Sequence, residues 1–278
     1  MTSVRPARPV PRAQGNGRSR PAGWVPQQHG AWAMVIVPIL IGTTLAWQAG
    51  VLRWWHGTLL LTWVVGYFAF NAASGALKAA ARQRPRWYPA AVTYLTITTV
   101  AGLVTLGAAG WAIALWLLCF MPATAIALLL AWRRKERALA GGLLTVLAGC
   151  LMLGVARFPD PTTAIASPDL PHVLGLIVML FGYFGGSIFY VKTLVRERGS
   201  RGWWTASVTW HAAWMALALL GVSLLGWAWV VFFGSMTLRA WYVPLLAKRA
   251  VVPIKMVGLT ELANSSVAFA IALLGVPG

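Results

Sequence analysis

The chain has 278 residues, of which 59% are hydrophobic and only 10% are charged. Soluble domains carry roughly 25% charged residues, so this composition, with a mean hydropathy of +0.71, excludes an ordinary soluble protein. The net charge of +18 would fit a nucleic-acid-binding protein, but the sequence has no zinc-ligand spacing, RNA-binding signature or separate basic domain. The composition therefore predicts an integral membrane protein without a nucleic-acid partner.

The first residues differ in composition from the rest of the chain. Residues 1–23 are rich in Pro, Arg and Gly and contain too few apolar side chains to form a core. We expect a disordered basic tail over 1–23 that stays in the cytoplasm beside anionic lipid, followed by a transmembrane domain over 24–278. A cleaved signal peptide is not expected, because the first apolar segment is long enough to cross the bilayer.

Long apolar segments follow the tail along the whole chain. About 20 apolar residues cross the hydrocarbon core as a helix, and a helix satisfies its own backbone hydrogen bonds there. We predict an all-α bundle of about nine transmembrane helices. The predicted spans are residues 31–49, 57–77, 89–109, 111–131, 139–156, 172–191, 205–225, 227–246 and 256–275.

The basic residues indicate how these spans are oriented. With the N-terminus in the cytoplasm, every Lys and Arg except Arg53 and Arg157 belongs to the tail or to a stretch assigned to the cytoplasmic side. Basic residues concentrate on that side, so the pattern predicts a cytoplasmic N-terminus and an external C-terminus. The longest external loop contains Asp160 and Asp169 and is predicted to form a small cap.

The end of span 2 carries the first candidate ligand residues. Asn71, Gly75, Lys78 and Arg82 follow one another at helical spacing, which places them on one helix face. This face leads from an amide inside the membrane to two cations, as one wall of a polar pocket would. The alternative is an ordinary helix end whose cations extend to the membrane surface.

The end of span 6 carries a second group of cations. Tyr190 is followed closely by Lys192, Arg196, Glu197 and Arg198. If the helix continues, Lys192 and Arg196 are one turn apart and repel each other. An anion, such as a lipid headgroup, a phosphate or a protein carboxylate, would offset this repulsion. The alternative is a basic loop that only sets the topology.

Glu261 is an acidic residue inside predicted span 9. An acid at that depth normally faces the interior of the bundle and has a partner there. Lys255, Lys192 and Arg196 are the expected partners. The pair would serve either a function or only the structure.

Two histidines complete the set of candidate site residues. His211 lies in span 7, and His29 lies just before span 1, where an interfacial hydrogen bond is the favoured interpretation. All these polar groups belong to the cytoplasmic half, so we expect one polar cavity near spans 1, 2, 6, 7 and 9. Cys119 and Cys150 lie in apolar stretches and are interpreted as core residues. No metal site and no cofactor is predicted.

Three motifs resemble the YwiC-like family of bacterial membrane proteins. They are Gln28-His29-Gly30-Ala31-Trp32, Tyr190-Val-Lys-Thr193 with Arg196-Glu197-Arg198-Gly199, and Gly258-Leu-Thr-Glu261. The resemblance runs from span 1 to span 9 and leaves the basic tail outside. It implies a multi-pass protein of the bacterial cytoplasmic membrane and assigns no biochemical activity.

The topology also resembles, more distantly, the UbiA-type intramembrane prenyltransferases. That family has nine helices and two Asp-rich motifs, after helices 2 and 6, where this chain has its two groups of cations. Asn71 matches the first motif, but Ala72, Gly75 and Ala79 stand at its acidic positions. Because Mg²⁺ is held through carboxylates, the resemblance implies a UbiA-like fold but argues against Mg²⁺-dependent prenyl transfer.

Two main functions remain open. The first is a cationic pocket that binds an anionic lipid or an isoprenoid phosphate directly, since Lys and Arg hold phosphate without a metal ion. Its basic residues would be Lys78, Arg82, Lys192, Arg196 and Arg198. The second is a permease for a small metabolite, with Glu261 and His211 in a proton relay, although no internal repeat supports it. A third is a non-catalytic membrane partner of another protein.

Overall fold

A computed structural model of the protein describes residues 22–26, 31–133, 139–247 and 252–274. Throughout these ranges the regular structure is helical, which confirms the predicted all-α class. The α-helices are α1 (Ala31–Gln48), α2 (Trp55–Lys78), α3 (Tyr88–Ala109), α4 (Leu117–Trp132), α5 (Leu139–Arg157), α6 (Pro161–Ala164), α7 (Leu170–Val195), α8 (Arg201–Leu220), α9 (Val222–Leu225), α10 (Trp227–Ala247) and α11 (Ile254–Leu274). Two 3-10 helices, Ala81–Arg86 and Trp111–Trp116, precede α3 and α4.

The long helices begin and end within a few residues of the predicted spans. Within the described ranges, 7 helices are long and apolar enough to cross a bilayer, judged by length and composition. They correspond to α2, α3, α4 with its preceding 3-10 helix, α5, α7, α10 and α11. The other two predicted spans are helical as α1 and α8, but α1 is short and α8 has a polar first half. The number of nine spans therefore stays a prediction.

Helix α7 forms the centre of the bundle. It packs against α5, α8, α10 and α11. Within its most apolar stretch of 18 residues, 72% is buried inside the protein. Two glycines of this helix, Gly182 and Gly186, face α8 at close range. Trp214 of α8 packs directly on Gly182, and a Cβ on Gly186 would lie 2.5 Å from His211 Nε2. These two glycines bring α8 close to α7.

Helices α1 and α5 lie side by side in the middle of the molecule. A Cβ on Gly149 would lie 2.5 Å from the Met34 carbonyl oxygen, and Gly42 packs on the Leu153 backbone. Because residue number rises along both helices between these contacts, α1 and α5 run in the same direction. Helices α2, α3 and α4 pack on one side of this pair, and α7, α8, α10 and α11 lie towards the other.

A short segment before α1 packs against the α2–α3 pair. Gly23 is buried, and a Cβ there would lie 3.2 Å from Ala90 Cβ. The Tyr94 hydroxyl donates a 2.7 Å hydrogen bond to the Trp24 carbonyl. Gly23, the last residue of the predicted tail, therefore packs on the helices. Residues 1–21 lie outside the described ranges, so their predicted disorder stays a prediction.

The connection between α5 and α7 is ordered by its two acids. Asp160 caps α6, because its Oδ1 accepts a 2.8 Å bond from the Thr162 backbone N–H and a 2.7 Å bond from the Thr162 hydroxyl. These hydrogen bonds, that from the hydroxyl first, lower the pKa of the exposed Asp160 carboxyl. Asp169 pairs with Arg157 at the end of α5. The predicted loop thus forms a compact connection.

Candidate functional site

An ion pair joins α10 to α11 inside the bundle. Arg239 Nη1 lies 2.5 Å from Glu261 Oε1, and the two side chains are only 13% and 12% exposed. At a rise of about 1.5 Å per residue, each lies roughly 10–12 Å from the nearer end of its helix. The partner of Glu261 is thus Arg239, where the sequence had suggested Lys255, Lys192 or Arg196.

Arg239 is one of the site residues that were not predicted from the sequence. It was counted among the cytoplasmic cations, but it lies near the middle of α10, inside predicted span 8. The signal was present in the sequence, because an arginine within a span requires an anionic or polar partner. Glu261 is the acid inside a predicted span that could have been matched to it.

Helix α7 holds Glu261 in place. The Ser187 hydroxyl donates a 2.5 Å hydrogen bond to Glu261 Oε2. The Tyr183 hydroxyl lies 3.1 Å from the Glu261 carbonyl oxygen and 3.0 Å from Ser265 Oγ. Both carboxylate oxygens therefore have a partner, one on α10 and the other on α7.

The Arg239 guanidinium lies over an aromatic ring. Its Cζ is 4.0 Å from the centroid of the buried Tyr190 ring, a distance at which a cation is attracted to the face of the ring. Arg239 Nε and Nη2 are buried and have no hydrogen-bond acceptor among the described residues. The structure thus brings Tyr190 and Glu261, both predicted site residues, together through Arg239.

His211 lies beside this cluster on α8. The residue is fully buried, and its Nδ1 lies 2.7 Å from the Ser207 carbonyl oxygen, so Nδ1 carries the proton of that hydrogen bond. His211 Nε2 packs towards Gly186 and has no hydrogen-bond partner in the described part of the chain.

The cations at the end of α7 contact neighbouring helices. The helix continues past Lys192 and ends at Val195, with Arg196 as the residue that follows its last turn. Lys192 Nζ lies 4.6 Å from the Trp203 ring centroid of α8, and Arg198 Nη2 donates to the Ala247 carbonyl at the end of α10. Arg196 is exposed, and Glu197 is half-buried. Lys192 and Arg198 therefore help to join the ends of three helices.

The predicted polar face at the end of α2 is shorter than expected. Helix α2 ends at Lys78, and Ala79 is extended with ψ 144°, so the exposed Arg82 lies in the following 3-10 helix and does not continue the face of Asn71. The chain turns here because the Trp87 ring folds back onto Gly75, in the space that a Cβ would occupy.

The candidate residues fall into two groups rather than one cavity. Tyr190, His211 and Glu261 lie with Arg239 among α7, α8, α10 and α11. Asn71 and Lys78 belong to α2, which packs against α1, α3 and α4. Helices α1 and α5 lie between α2 and α7. His29 lies outside the described residues.

An apolar crevice lies between α1, α2, α3, α4 and α5. Its volume is about 540 Å³, and its walls are mainly aliphatic and aromatic. Representative wall residues are Trp63, Tyr67, Phe70, Leu103, Phe120 and Ala148. Thr98 also lines the crevice, and its buried hydroxyl has no partner among the described residues. No polar pattern marks these positions, so the sequence analysis did not predict the crevice.

Apolar helices around a buried ion pair define a multi-pass helical membrane protein. The chain belongs to the YwiC-like family, as its motifs predicted. It is 30% identical over 243 residues to "Uncharacterized protein YwiC" of Bacillus subtilis. The aligned region covers 87% of this chain and 93% of the relative. The family model, described as "YwiC-like protein", matches residues 25–157.

The chain is also similar to a second relative. The chain is 26% identical over 254 residues to an "Uncharacterized protein" of Haemophilus influenzae, with 90% of this chain and 97% of the relative covered. No solved structure matches the chain. The resemblance to UbiA-type prenyltransferases therefore stays a prediction.

Proposed function

We propose that this protein binds an amphiphile with a phosphate headgroup, an anionic lipid or an isoprenoid phosphate, in a bacterial cytoplasmic membrane. The observation that carries the proposal is the apolar crevice among α1 to α5. Its volume of about 540 Å³ falls within the roughly 300–1,000 Å³ of small-molecule sites. Its apolar walls suit a hydrocarbon chain.

The position of the crevice along α2 supports a ligand with a charged end. Phe70 lines the crevice, and Lys78 ends the same helix, about 12 Å further on at the normal helical rise. Arg82, Arg84 and Arg86 follow on the exposed 3-10 helix. An amphiphile whose chain fills the crevice would place its headgroup beside these cations.

The chemistry of the headgroup follows from these side chains. Arg and Lys form charge-assisted hydrogen bonds with phosphate oxygens, and each basic residue near an anionic membrane surface adds about 1 kcal/mol of attraction. Binding through these cations needs no Mg²⁺. The proposal also places the basic end of α2 in the cytoplasm, in line with the distribution of Lys and Arg.

The test is equilibrium binding to the detergent-purified, full-length protein. The probes are geranylgeranyl diphosphate and phosphatidylglycerol, each with and without Mg²⁺. Saturable binding that does not need Mg²⁺ is expected for one or both, and the pattern distinguishes an isoprenoid from a lipid ligand. Absence of saturable binding for both probes would overturn the proposal.

Two glycine substitutions in α3 test the position of the chain. Gly102 lines the crevice, and a Cβ there would lie 3.6 Å from Thr62 Cγ2, so Gly102→Leu fills the space without a backbone clash. Gly107→Leu is the matched control, because Gly107 lies on the same helix with no heavy atom within 4 Å of its Cβ position. We expect weaker binding only for Gly102→Leu; equal binding by both variants would place the ligand elsewhere.

A further inference from the structure

We infer that Arg239 is the centre of a second binding site, which takes a carboxylate or phosphate group at its Nε and Nη2. Helices α1 and α5 separate this site from α2 and the crevice's far wall. The inference therefore goes beyond the proposed amphiphile site and does not depend on it.

The unused donors of Arg239 form a matched pair. Glu261 accepts from Nη1 alone. Nε–H and one Nη2–H point in the same direction from the planar guanidinium, and this edge binds two oxygens of one carboxylate or phosphate side by side. Neither nitrogen has an acceptor among the described residues, and both are buried. Buried donors without acceptors cost free energy, which an oxyanion at this edge would remove.

Glu261 does not supply these missing acceptors. Its Oε1 is 2.5 Å from Nη1, and its Oε2 accepts from Ser187. Tyr183 bonds its backbone carbonyl, so α7 fixes both the side chain and the main chain. The carboxylate is shared between Arg239 and Ser187, so an oxyanion at the free edge would come from outside the cluster.

The surroundings of Arg239 are also polar. The Tyr190 ring packs against the guanidinium, with its centroid 4.0 Å from Cζ. On α8, His211 Nε2 also lacks a partner within the described ranges, and His211 has no exposed surface at all. A cluster with several unmatched polar atoms in an apolar bundle favours a polar ligand over simple packing.

The ion pair is close to the surface of the bundle, although its free edge is covered. The Arg239 and Glu261 side chains keep 13% and 12% of their surface exposed. The proposed ligand site is closed in this conformation, so binding of an anion at Nε and Nη2 requires the arginine side chain to move.

The experiment is thermal unfolding of the full-length protein in dodecyl maltoside at constant ionic strength. Inorganic phosphate and acetate replace chloride in one arm, and phosphatidic acid is added to the micelles in the other. A saturable rise in Tm in the first arm indicates a free anion, and a rise in the second arm alone indicates a lipid headgroup. Either result supports the site, whereas no rise in both arms overturns it.

Two variants connect the effect to Arg239. Arg239→Lys keeps the charge but removes the planar edge, so we expect at least about tenfold weaker anion binding. Glu261→Gln removes the carboxylate that shares the guanidinium, so we expect severalfold tighter binding. Arg157→Lys is the control, because Arg157 also pairs with an acid, Asp169, outside this cluster.

The outcomes of these variants decide the inference. Unchanged anion affinity in Arg239→Lys, or affinity in Glu261→Gln that is no higher than in the wild type, would overturn it. If Arg239→Lys does not fold, Glu261→Gln decides alone. Failure of the crevice proposal would be seen in different experiments, namely the binding of amphiphile probes to the wild type and to Gly102→Leu.

Discussion

Arg239 Nη1 of α10 lies 2.5 Å from Glu261 Oε1 of α11, and the Ser187 hydroxyl of α7 donates a hydrogen bond to Oε2 of the same carboxylate. Apart from this junction, α10 and α11 pack closely over only a short length. The ion pair therefore provides much of the connection between these two helices. Its removal is expected to affect both stability and ligand binding.

Loss of Glu261 should strongly destabilise the protein. Glu261→Ala leaves the Arg239 charge largely buried without its partner, and removal of one member of a buried pair costs about 3–5 kcal/mol. The double variant Arg239→Met/Glu261→Leu removes both charges and should recover most of this loss. Unfolding in detergent, monitored by tryptophan fluorescence, measures the free energy of unfolding of both variants. A double variant as unstable as Glu261→Ala would contradict the expectation.

Ser187 should contribute through its bond to the carboxylate. Ser187→Ala removes a 2.5 Å hydrogen bond to Glu261 Oε2, and bonds to charged groups contribute about 1.5–3 kcal/mol. Ser266→Ala is the control, since the Ser266 hydroxyl donates to the Leu262 carbonyl within the exposed face of α11. The free energy of unfolding should fall clearly in the first variant and change little in the second.

Gly186→Ala is expected to destabilise the protein. A Cβ there would lie 2.5 Å from His211 Nε2, and overpacking of this kind costs about 1–3 kcal/mol. A Cβ on Gly258 of α11 would have no heavy atom within 4 Å, so Gly258→Ala should stabilise its helix by up to about 1 kcal/mol. The two alanine variants thus have opposite signs in the same unfolding assay. Equal Tm values would show that α8 moves freely away from α7.

Asp160 should make stability depend on pH in the acidic range. The Thr162 hydroxyl and backbone N–H hold its native pKa below the ordinary value, which is about 3.9 in an unfolded chain. The stabilisation is therefore present above pH 4 and is lost as the pH falls through the native pKa. The Tm difference between wild type and Asp160→Asn should shrink on acidification. A difference that is constant between pH 7 and pH 3 would exclude this assignment.

The helical segments were predictable because each is a long apolar run. Gly110 and Gly226, which divide two pairs of spans, have positive φ values of 97° and 83°, so their role as turns agrees with their residue type. The end of α2 was not predictable in the same way. It depends on the Trp87 ring packing on Gly75, a contact that the local pattern does not encode.

The candidate site was predictable only in part. Glu261 was correctly expected to have a partner in the bundle interior, because an acid in a span requires one. Its partner was misassigned because Arg239 was grouped with loop cations, although it lies inside a span. The crevice left no signal, since residues such as Leu103 and Phe120 resemble lipid-facing side chains in sequence.

The position of Arg239 also has a consequence for biosynthesis. Helix α10 leaves the ribosome before α11, so its arginine has no acidic partner when the helix first meets the translocon. An arginine near the centre of a helix raises the free energy of insertion by about 2.5–3.5 kcal/mol. We therefore expect α10 to be retained at the translocon until Glu261 has been synthesised, so that α10 and α11 enter the bilayer together as a hairpin.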